Sequence, residues 1–201
     1  MGLDMWVYRA SRLTDKELAA IEGLPLNEMW SKDVHTFVIS EMEEEDKPMY
    51  ADIIPLCRIA KADVSYWDIA KMKEDLGYNP ETFAYICYTS YKSNDTVDIG
   101  LRIEGEEEIK YIRGINKDDY TIHKKEDTYV VKMKELAYWR KHYELQQALY
   151  DDYFSGIGHS IINCGYHKLN RAMFNDIIRM DGQKQLKGKR FTDKLFYHEW
   201  Y

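Results

Sequence analysis

The clearest indication of the fold is an alternating stretch of sequence, Thr96-Val97-Asp98-Ile99-Gly100-Leu101-Arg102-Ile103. Every second residue is apolar, which is the period of a β-strand that has one face in a hydrophobic core. The same period extends over residues 81–133. Turn residues interrupt it at 93–95, 105, 114–118 and 125–127. Because breaks of this length join antiparallel neighbours, we predict about four or five successive strands, for which a meander is the simplest topology.

Two further strands are predicted nearer the N-terminus, where residues 2–9 and 33–40 alternate in the same way. Between them, Thr14 and Glu17 have the spacing of a capping box. This motif predicts a short helix that ends before Gly23.

Longer helices are predicted in the second half of the chain. Residues 135–154 show two adjoining apolar stripes at the period of an α-helix, with charged residues on the remaining arc. Another helix is predicted over residues 166–180, and a shorter one follows Asp68. Together these patterns predict an α+β fold, in which an antiparallel sheet packs with about two or three main helices.

The composition predicts a single domain. With 201 residues, of which 45% are hydrophobic, the chain can bury a core without disulfides or metals. We expect one domain over residues 1–201. Residues 183–201 are first basic and then aromatic, which predicts a C-terminal arm that docks on the chain or forms an interface.

Sequence features also bear on the location of the protein. No uncharged apolar run approaches the roughly 20 residues of a membrane span. The N-terminus has no basic region ahead of an apolar stretch, so no secretory signal is recognised. The three cysteines are widely spaced, which favours free thiols in a reducing compartment. We expect a cytoplasmic protein that does not contact membranes.

The charge distribution indicates a class of partner. A net charge of −7 opposes attraction to phosphates, so direct nucleic-acid binding is not expected, and a protein with a basic surface is favoured instead. The most acidic segment is residues 41–46. Its carboxylates belong to Glu41, Glu43, Glu44, Glu45 and Asp46. Such a run is either a solvated loop or a docking surface for a basic partner, and both interpretations stay open at this point.

The strongest group of reactive residue types is formed by Asn163, Cys164 and His167. These are the types of a thiol nucleophile, its base and the group that orients the base. Cys164 and His167 lie three residues apart, so they would share a face of a helical turn. Thiol enzymes usually assemble such groups from distant segments, and a buried structural cysteine is the alternative.

Metal and phosphate binding have weaker support. Cys164, His167 and either His142 or His159 are zinc-ligand types, but zinc sites usually show two paired spacings and this segment has one weak pair. The segment 156–158, Gly-Ile-Gly, lacks the third glycine of a phosphate-binding loop. We therefore predict neither a metal nor a cofactor.

Two polar groups are predicted to be structural. His142 falls in the apolar arc of residues 135–154, where a hydrogen-bonded core histidine is commoner than a ligand. Asp4 lies on the aromatic side of the first strand, and we expect it to meet Arg140 or Lys141 in a buried pair that stabilises the fold.

The chain resembles a group of small, functionally uncharacterised phage and prophage proteins in three segments: residues 2–8 (Gly-Leu-Asp-Met-Trp-Val-Tyr), 135–141 (Glu-Leu-Ala-Tyr-Trp-Arg-Lys) and 163–166 (Asn-Cys-Gly-Tyr). Those proteins begin with a Gly-Leu-Asp-Met-aromatic strand and carry a Tyr-Trp-Arg-Lys helix followed by an Asn-Cys element. The resemblance implies a viral or mobile-element origin and a role in the host cytoplasm during infection. It also implies that Asp4, Arg140, Asn163 and Cys164 converge on a single polar pocket, and we place the structural histidine His142 in this pocket with them.

We therefore favour a phage- or prophage-encoded accessory binding protein without catalysis. Its acidic surface would inhibit a host defence effector, for example a CRISPR-type nuclease complex, because such effectors have basic channels. One alternative is a small hydrolase or nucleotide-modifying enzyme that uses Asn163, Cys164 and His167. Another is a homodimeric phage structural or assembly component. Its interface would comprise Phe191, Phe196, Tyr197, Trp200 and Tyr201.

Overall fold

A computed structural model of the chain describes residues 2–91, 96–156 and 164–200. Within these ranges the strands are β1 (Asp4–Ser11), β2 (Val34–Val38), β3 (Arg58–Trp67), β4 (Ala84–Tyr91), β5 (Thr96–Ile103), β6 (Lys110–Asn116), β7 (Thr121–Arg140), β8 (Tyr166–Lys168) and β9 (Leu195–Trp200). The helices are α1 (Asp15–Ile21), α2 (Leu26–Trp30), α3 (Lys47–Tyr50), α4 (Ile69–Asp75), α5 (Tyr143–Leu149) and α6 (Arg171–Met180). The predicted α+β class is confirmed.

The strands form two sheets with different topologies. The larger sheet has six strands, in the order β2-β7-β1-β9-β8, and β3 also pairs with β7. The smaller sheet has the order β4-β5-β6 and contains the alternating stretch over residues 96–103. Along the orders β2-β7-β1-β9-β8 and β4-β5-β6, neighbouring strands are antiparallel. The predicted meander is found in β4-β5-β6, whereas β7 joins the larger sheet instead of continuing it.

The chain divides into two compact units. One contains residues 1–62 and 125–201, and the other contains residues 63–124. The second unit has its own core, in which α4 packs against one face of the smaller sheet through Met72, Ile99 and Leu101. The prediction of a single domain over residues 1–201 stays a prediction.

Helices cover one face of the larger sheet. The predicted alternation in β1 is confirmed, since Leu3, Met5 and Val7 are buried on this face. They pack with Trp139 of β7 and with the apolar sides of α5 and α6. This packing forms the main hydrophobic core of the first unit.

The opposite face of the larger sheet is covered by residues 39–57, which connect β2 to β3. Ile53 is buried there, and Tyr50 packs beside it, against sheet residues that include Phe37 and Phe196. Residues 39–57 therefore form a layer over this face of the larger sheet, and their apolar side chains hold them there.

The helix predicted over residues 135–154 is wrong in its first part, because β7 continues to Arg140. Neighbouring residues of β1 pair with Glu135 and Ala137, so Leu136 is the extra residue of a β-bulge. The bulge interrupts the period of two and leaves apolar residues at spacings that imitate a helix. The helix itself, α5, begins at Tyr143, and one π-helical turn over residues 150–154 follows it.

The helix predicted over residues 166–180 is likewise shorter than expected. Its first residues form the strand β8, and α6 begins only after Asn170, whose side chain accepts a hydrogen bond from the amide of Met173 at 2.9 Å. The predicted end of this helix at Asp181 is confirmed.

The aromatic C-terminal segment forms β9, between β1 and β8 in the larger sheet. Phe196 and Tyr197 are 0% and 1% exposed within the chain itself, so their assignment to a dimer interface was wrong. Phe191 packs partly buried against the main core, whereas Trp200 is 58% exposed. Tyr201 lies outside the described residues.

Candidate docking surface

The acidic segment lies on the connection between β2 and β3. Glu41 closes a short 3-10 turn, and a further turn, in which the amide of Asp46 donates to the carbonyl of Glu43 at 3.1 Å, leads into α3. Glu41, Glu43, Glu44 and Glu45 are exposed, and Asp46 is half-buried. We call residues 41–46 the acidic loop.

The position of the acidic loop is set by buried contacts on both sides of it. Before the loop, Val38 and Phe37 belong to β2 and are buried. After it, the Tyr50 and Phe37 rings pack at 4.8 Å, and a carboxylate oxygen of Asp52 accepts a hydrogen bond from the amide of Lys168 in β8 at 3.0 Å. The loop is therefore presented by an anchored segment.

The first groove beside the acidic loop combines aromatic and acidic side chains. It encloses about 350 Å³. Its lining residues are Leu26, Trp30, Thr36, Phe37, Val38, Glu41, Met42, Asp46 and Tyr50. Trp30 ends α2 and is 57% exposed, and its indole Nε1–H donates to Thr36 Oγ1 at 2.8 Å. We call this the acidic groove.

The negative charge in the acidic groove affects the pKa of Tyr50. Burial raises the pKa of its hydroxyl, and the negative charge of Asp46 raises this pKa further. The Asp46 carboxylate therefore acts on the floor of the groove and not only on bulk solvent.

A second groove lies next to the first and is predominantly apolar. It encloses about 450 Å³. Its lining residues are Ile39, Met42, Lys47, Ala51, Ile54, Pro55 and Tyr129. Met42 lines both grooves, so they share one wall residue. We call this the apolar groove.

The structure gives Cys164 the character of a protonated thiol. Burial raises the pKa of Cys164, and the charge of Glu199 raises it further. The residue has a left-handed backbone conformation, with φ of 63°, and its amide donates to the carbonyl of Glu199 at 2.8 Å. A nucleophilic cysteine needs a lowered pKa, so these surroundings disfavour thiol catalysis.

His167 and Cys164 have different surroundings. Tyr166 and His167 are consecutive in β8 and therefore point to opposite faces of the larger sheet. The pKa of Tyr166 is raised mainly by burial and in small part by its proximity to Cys164, whereas the His167 ring packs at 4.8 Å from Phe154 on the helix-covered face. Asn163 and His159 lie outside the described residues.

The structure brings together part of the predicted polar pocket. Arg140 Nε lies 3.9 Å from a carboxylate oxygen of Asp4, which also accepts a hydrogen bond from the Tyr138 hydroxyl. Arg140 is largely exposed, so the pair is not buried as predicted. His142 instead caps α5: its Nδ1 accepts from the amide of Leu145 at 3.3 Å, and its Nε2 donates to the carbonyl of Met180 at 3.2 Å. The wider pocket stays a prediction.

Two histidines lie on the face that the 39–57 connection covers. His35 Nδ1 is hydrogen-bonded to the Tyr166 hydroxyl at 2.8 Å, and His198 stacks on the Tyr166 ring at 4.3 Å while its Nδ1 donates to the carbonyl of Gly165 at 2.9 Å. Burial lowers the pKa of His35 to about 4, helped by the charge of His198. Burial likewise lowers the pKa of His198 to about 4. Both rings are therefore neutral at pH 7.

The described residues contain neither a metal-ligand cluster nor a helix that could span a membrane. Across 2–91, 96–156 and 164–200, no three His, Cys, Asp or Glu side chains are grouped so that they could hold a metal ion. No helix in these ranges has the length and apolar character that crossing a membrane requires. Comparisons of the chain with protein-family models, with curated proteins and with solved structures found no match.

Sequence reasoning identified the carboxylates of the candidate docking surface but missed its aromatic wall. Trp30, Thr36 and Tyr50 are brought together by the chain path from α2 through β2 to α3. The available signal was Trp30 itself, a large apolar residue at the end of a helix too short to bury it.

Proposed function

We propose that this chain is a binding protein without catalysis, which docks on a basic surface of a partner protein through its acidic loop. The observation that supports this proposal is the position of the loop, between two grooves and on an anchored segment. Exposed carboxylates raise the rate and selectivity of association with a basic surface, whereas grooves with aromatic and methionine walls supply affinity.

The partner that we propose is a nuclease complex of host defence. The proposal depends on the resemblance to phage and prophage proteins and on the acidic character of the chain, whose net charge is −7. Nucleic-acid-binding channels are basic because they hold phosphates, so an acidic protein can occupy them by charge complementarity.

A charge-reversal experiment tests the docking proposal. The partner is captured from host cells and purified, and its affinity for the wild-type chain is compared with that for a Glu43→Lys, Glu44→Lys, Glu45→Lys variant. We expect a loss of about tenfold or more at low ionic strength and a smaller loss at high ionic strength, because salt screens exposed charges.

A matched control changes the net charge by the same amount elsewhere. Glu104, Glu107 and Glu108 are exposed in the turn between β5 and β6, outside the docking surface. A Glu104→Lys, Glu107→Lys, Glu108→Lys variant should bind the partner like the wild type. If both variants bind as tightly as the wild type at low ionic strength, the acidic loop is not the docking surface.

A further inference from the structure

We infer that the acidic groove receives an arginine side chain of the partner and that the apolar groove receives a large apolar side chain from the same segment of the partner. This inference rests on the proposed function and adds to it the chemistry that the partner must present. The carboxylates of the acidic loop then have different roles. Glu41 and Asp46 line the groove and would bind the arginine, whereas the other carboxylates lie outside the groove.

The aromatic wall favours a cation with a flat face. Trp30 is 57% exposed, and its Nε1–H is held by Thr36, so the ring is both accessible and oriented. An indole is the best aromatic partner for a cation, and a guanidinium group can stack on it while keeping its N–H donors in the plane. An arginine stem would pack its methylene groups on the same ring.

The two carboxylates of the groove are available for such a cation. Among the described residues, neither Glu41 nor Asp46 forms a salt bridge, whereas Glu44 pairs with Lys47 at 2.5 Å. Arginine and carboxylates form the strongest charge-assisted hydrogen bonds, and their planar geometries match. Two carboxylates beside an indole therefore fit a guanidinium better than a point-like ammonium.

The dimensions allow one side chain in each groove. The acidic groove, at about 350 Å³, corresponds to about a dozen water molecules of about 30 Å³ each, which exceeds the seven heavy atoms of an arginine side chain. The apolar groove is larger, at about 450 Å³, and Met42, which lines both grooves, is a flexible, adaptable side chain. A partner segment with an arginine and an aliphatic or aromatic residue a few positions away satisfies both grooves.

Small probes test the arginine assignment directly. N-acetyl-argininamide is titrated into the ¹⁵N-labelled protein, and the indole N–H resonance of Trp30 is followed after assignment with a Trp30→Phe variant. We expect a saturable shift. N-acetyl-citrullinamide, which has the same shape without the charge, should bind about tenfold more weakly or not at all. If citrullinamide or N-acetyl-lysinamide binds as tightly as argininamide, the arginine assignment is wrong.

Paired variants test which carboxylates hold the cation. The Glu41→Gln, Asp46→Asn variant should weaken argininamide binding about tenfold. The Glu43→Gln, Glu45→Gln variant removes the same charge from outside the groove and should change the affinity by less than about twofold. Equal losses in both variants would show that the loop attracts cations generally and that the groove has no specific role.

The pairing of the grooves is tested with a short peptide. Acetyl-Arg-Gly-Leu-amide should bind more tightly than acetyl-Arg-Gly-Gly-amide and should shift the methyl resonance of Met42 together with the Trp30 indole, since linked contacts reinforce each other. Equal affinity of the two peptides would exclude the apolar groove from recognition.

The outcomes separate this inference from the proposed function. The captured partner could fail to bind the variant with charge reversal at Glu43, Glu44 and Glu45 but bind normally to the Glu41→Gln, Asp46→Asn variant. In that case the docking proposal stands, and the inference that the groove receives an arginine fails. If the arginine probes bind as expected while partner affinity is unchanged in both sets of variants, the groove accepts arginine but does not receive it from this partner, and the docking proposal fails as well.

Discussion

Acidification from pH 7.5 to pH 5 is expected to destabilise the fold through His35 and His198. Each has a pKa lowered to about 4 in the folded chain, from an ordinary value of 6.5. Between these values the unfolded chain binds more protons than the folded chain, so the free energy of unfolding falls as the pH falls. Above pH 6.5 both states carry neutral rings, and the full stability is present.

The magnitude follows from the two pKa values. A difference of one pKa unit corresponds to about 1.4 kcal/mol, so each histidine costs about 3 kcal/mol of stability once the pH is well below 4. At pH 5 the expected loss is about 2 kcal/mol per histidine. The sum is not strictly additive, because the charge of His198 contributes to the lowered pKa of His35.

Urea denaturation at a series of pH values measures this effect. Carboxylates change the stability only at lower pH. The pKa of Glu17, for example, is lowered to about 2, mainly by its hydrogen bond with Lys132, so its contribution to stability is lost as the pH falls from about 4.5 to about 2. The His35→Gln and His198→Gln variants should each flatten the pH dependence between pH 7.5 and pH 5. His123→Gln is the control, because that side chain is 62% exposed.

The slope of stability against pH is the decisive quantity, because either histidine variant also loses packing, which lowers its stability near pH 7. A wild-type free energy of unfolding that stays constant from pH 7.5 to pH 5 would refute the argument. So would a double variant that keeps the wild-type slope.

Three further predictions concern the core and the cysteines. Trp139→Ala should lower the free energy of unfolding by about 3–5 kcal/mol, because the Trp139 side chain is 1% exposed. Trp200→Ala, at an exposed position, should change it by less than about 0.5 kcal/mol. Urea denaturation measures both free energies. Truncation after Arg190 removes β9 from between β1 and β8 and should abolish cooperative unfolding in circular dichroism, so that a folded truncated chain would contradict the sheet order. In the native protein iodoacetamide should label the exposed Cys87 before Cys164, whose pKa is raised, and peptide mass spectrometry would reveal the opposite order if Cys164 were a reactive thiolate.

Local patterns predicted the elements whose signals are contained in a few neighbouring residues. The alternation in β1 and β5 is confirmed because each strand has one buried face, and the cap at Thr14 is confirmed because its hydrogen bonds join residues three positions apart. The acidic loop was also placed correctly as an exposed segment, since its charge density prevents burial in a core.

Elements that depend on distant partners were not predictable in this way. β9 is covered on both faces, so Leu195, Phe196 and Tyr197 form an apolar run without alternation. The bulge at Leu136 arises from the pairing of β7 with β1, more than a hundred residues away in sequence. The candidate docking surface had the same limitation: its carboxylates are close together in sequence, but the indole that lines the same groove comes from α2.

The pairing of β1 with β9 has a consequence for how the chain folds. Asp4 lies opposite Trp200, so the middle of the larger sheet is completed only when segments separated by almost the whole sequence meet. Closing so long a loop costs entropy before any contact compensates for it, which predicts slow folding, on the order of milliseconds to seconds. Until β9 arrives, β1 exposes one row of unsatisfied backbone groups, and chaperones that shield such an edge would suppress aggregation at that stage.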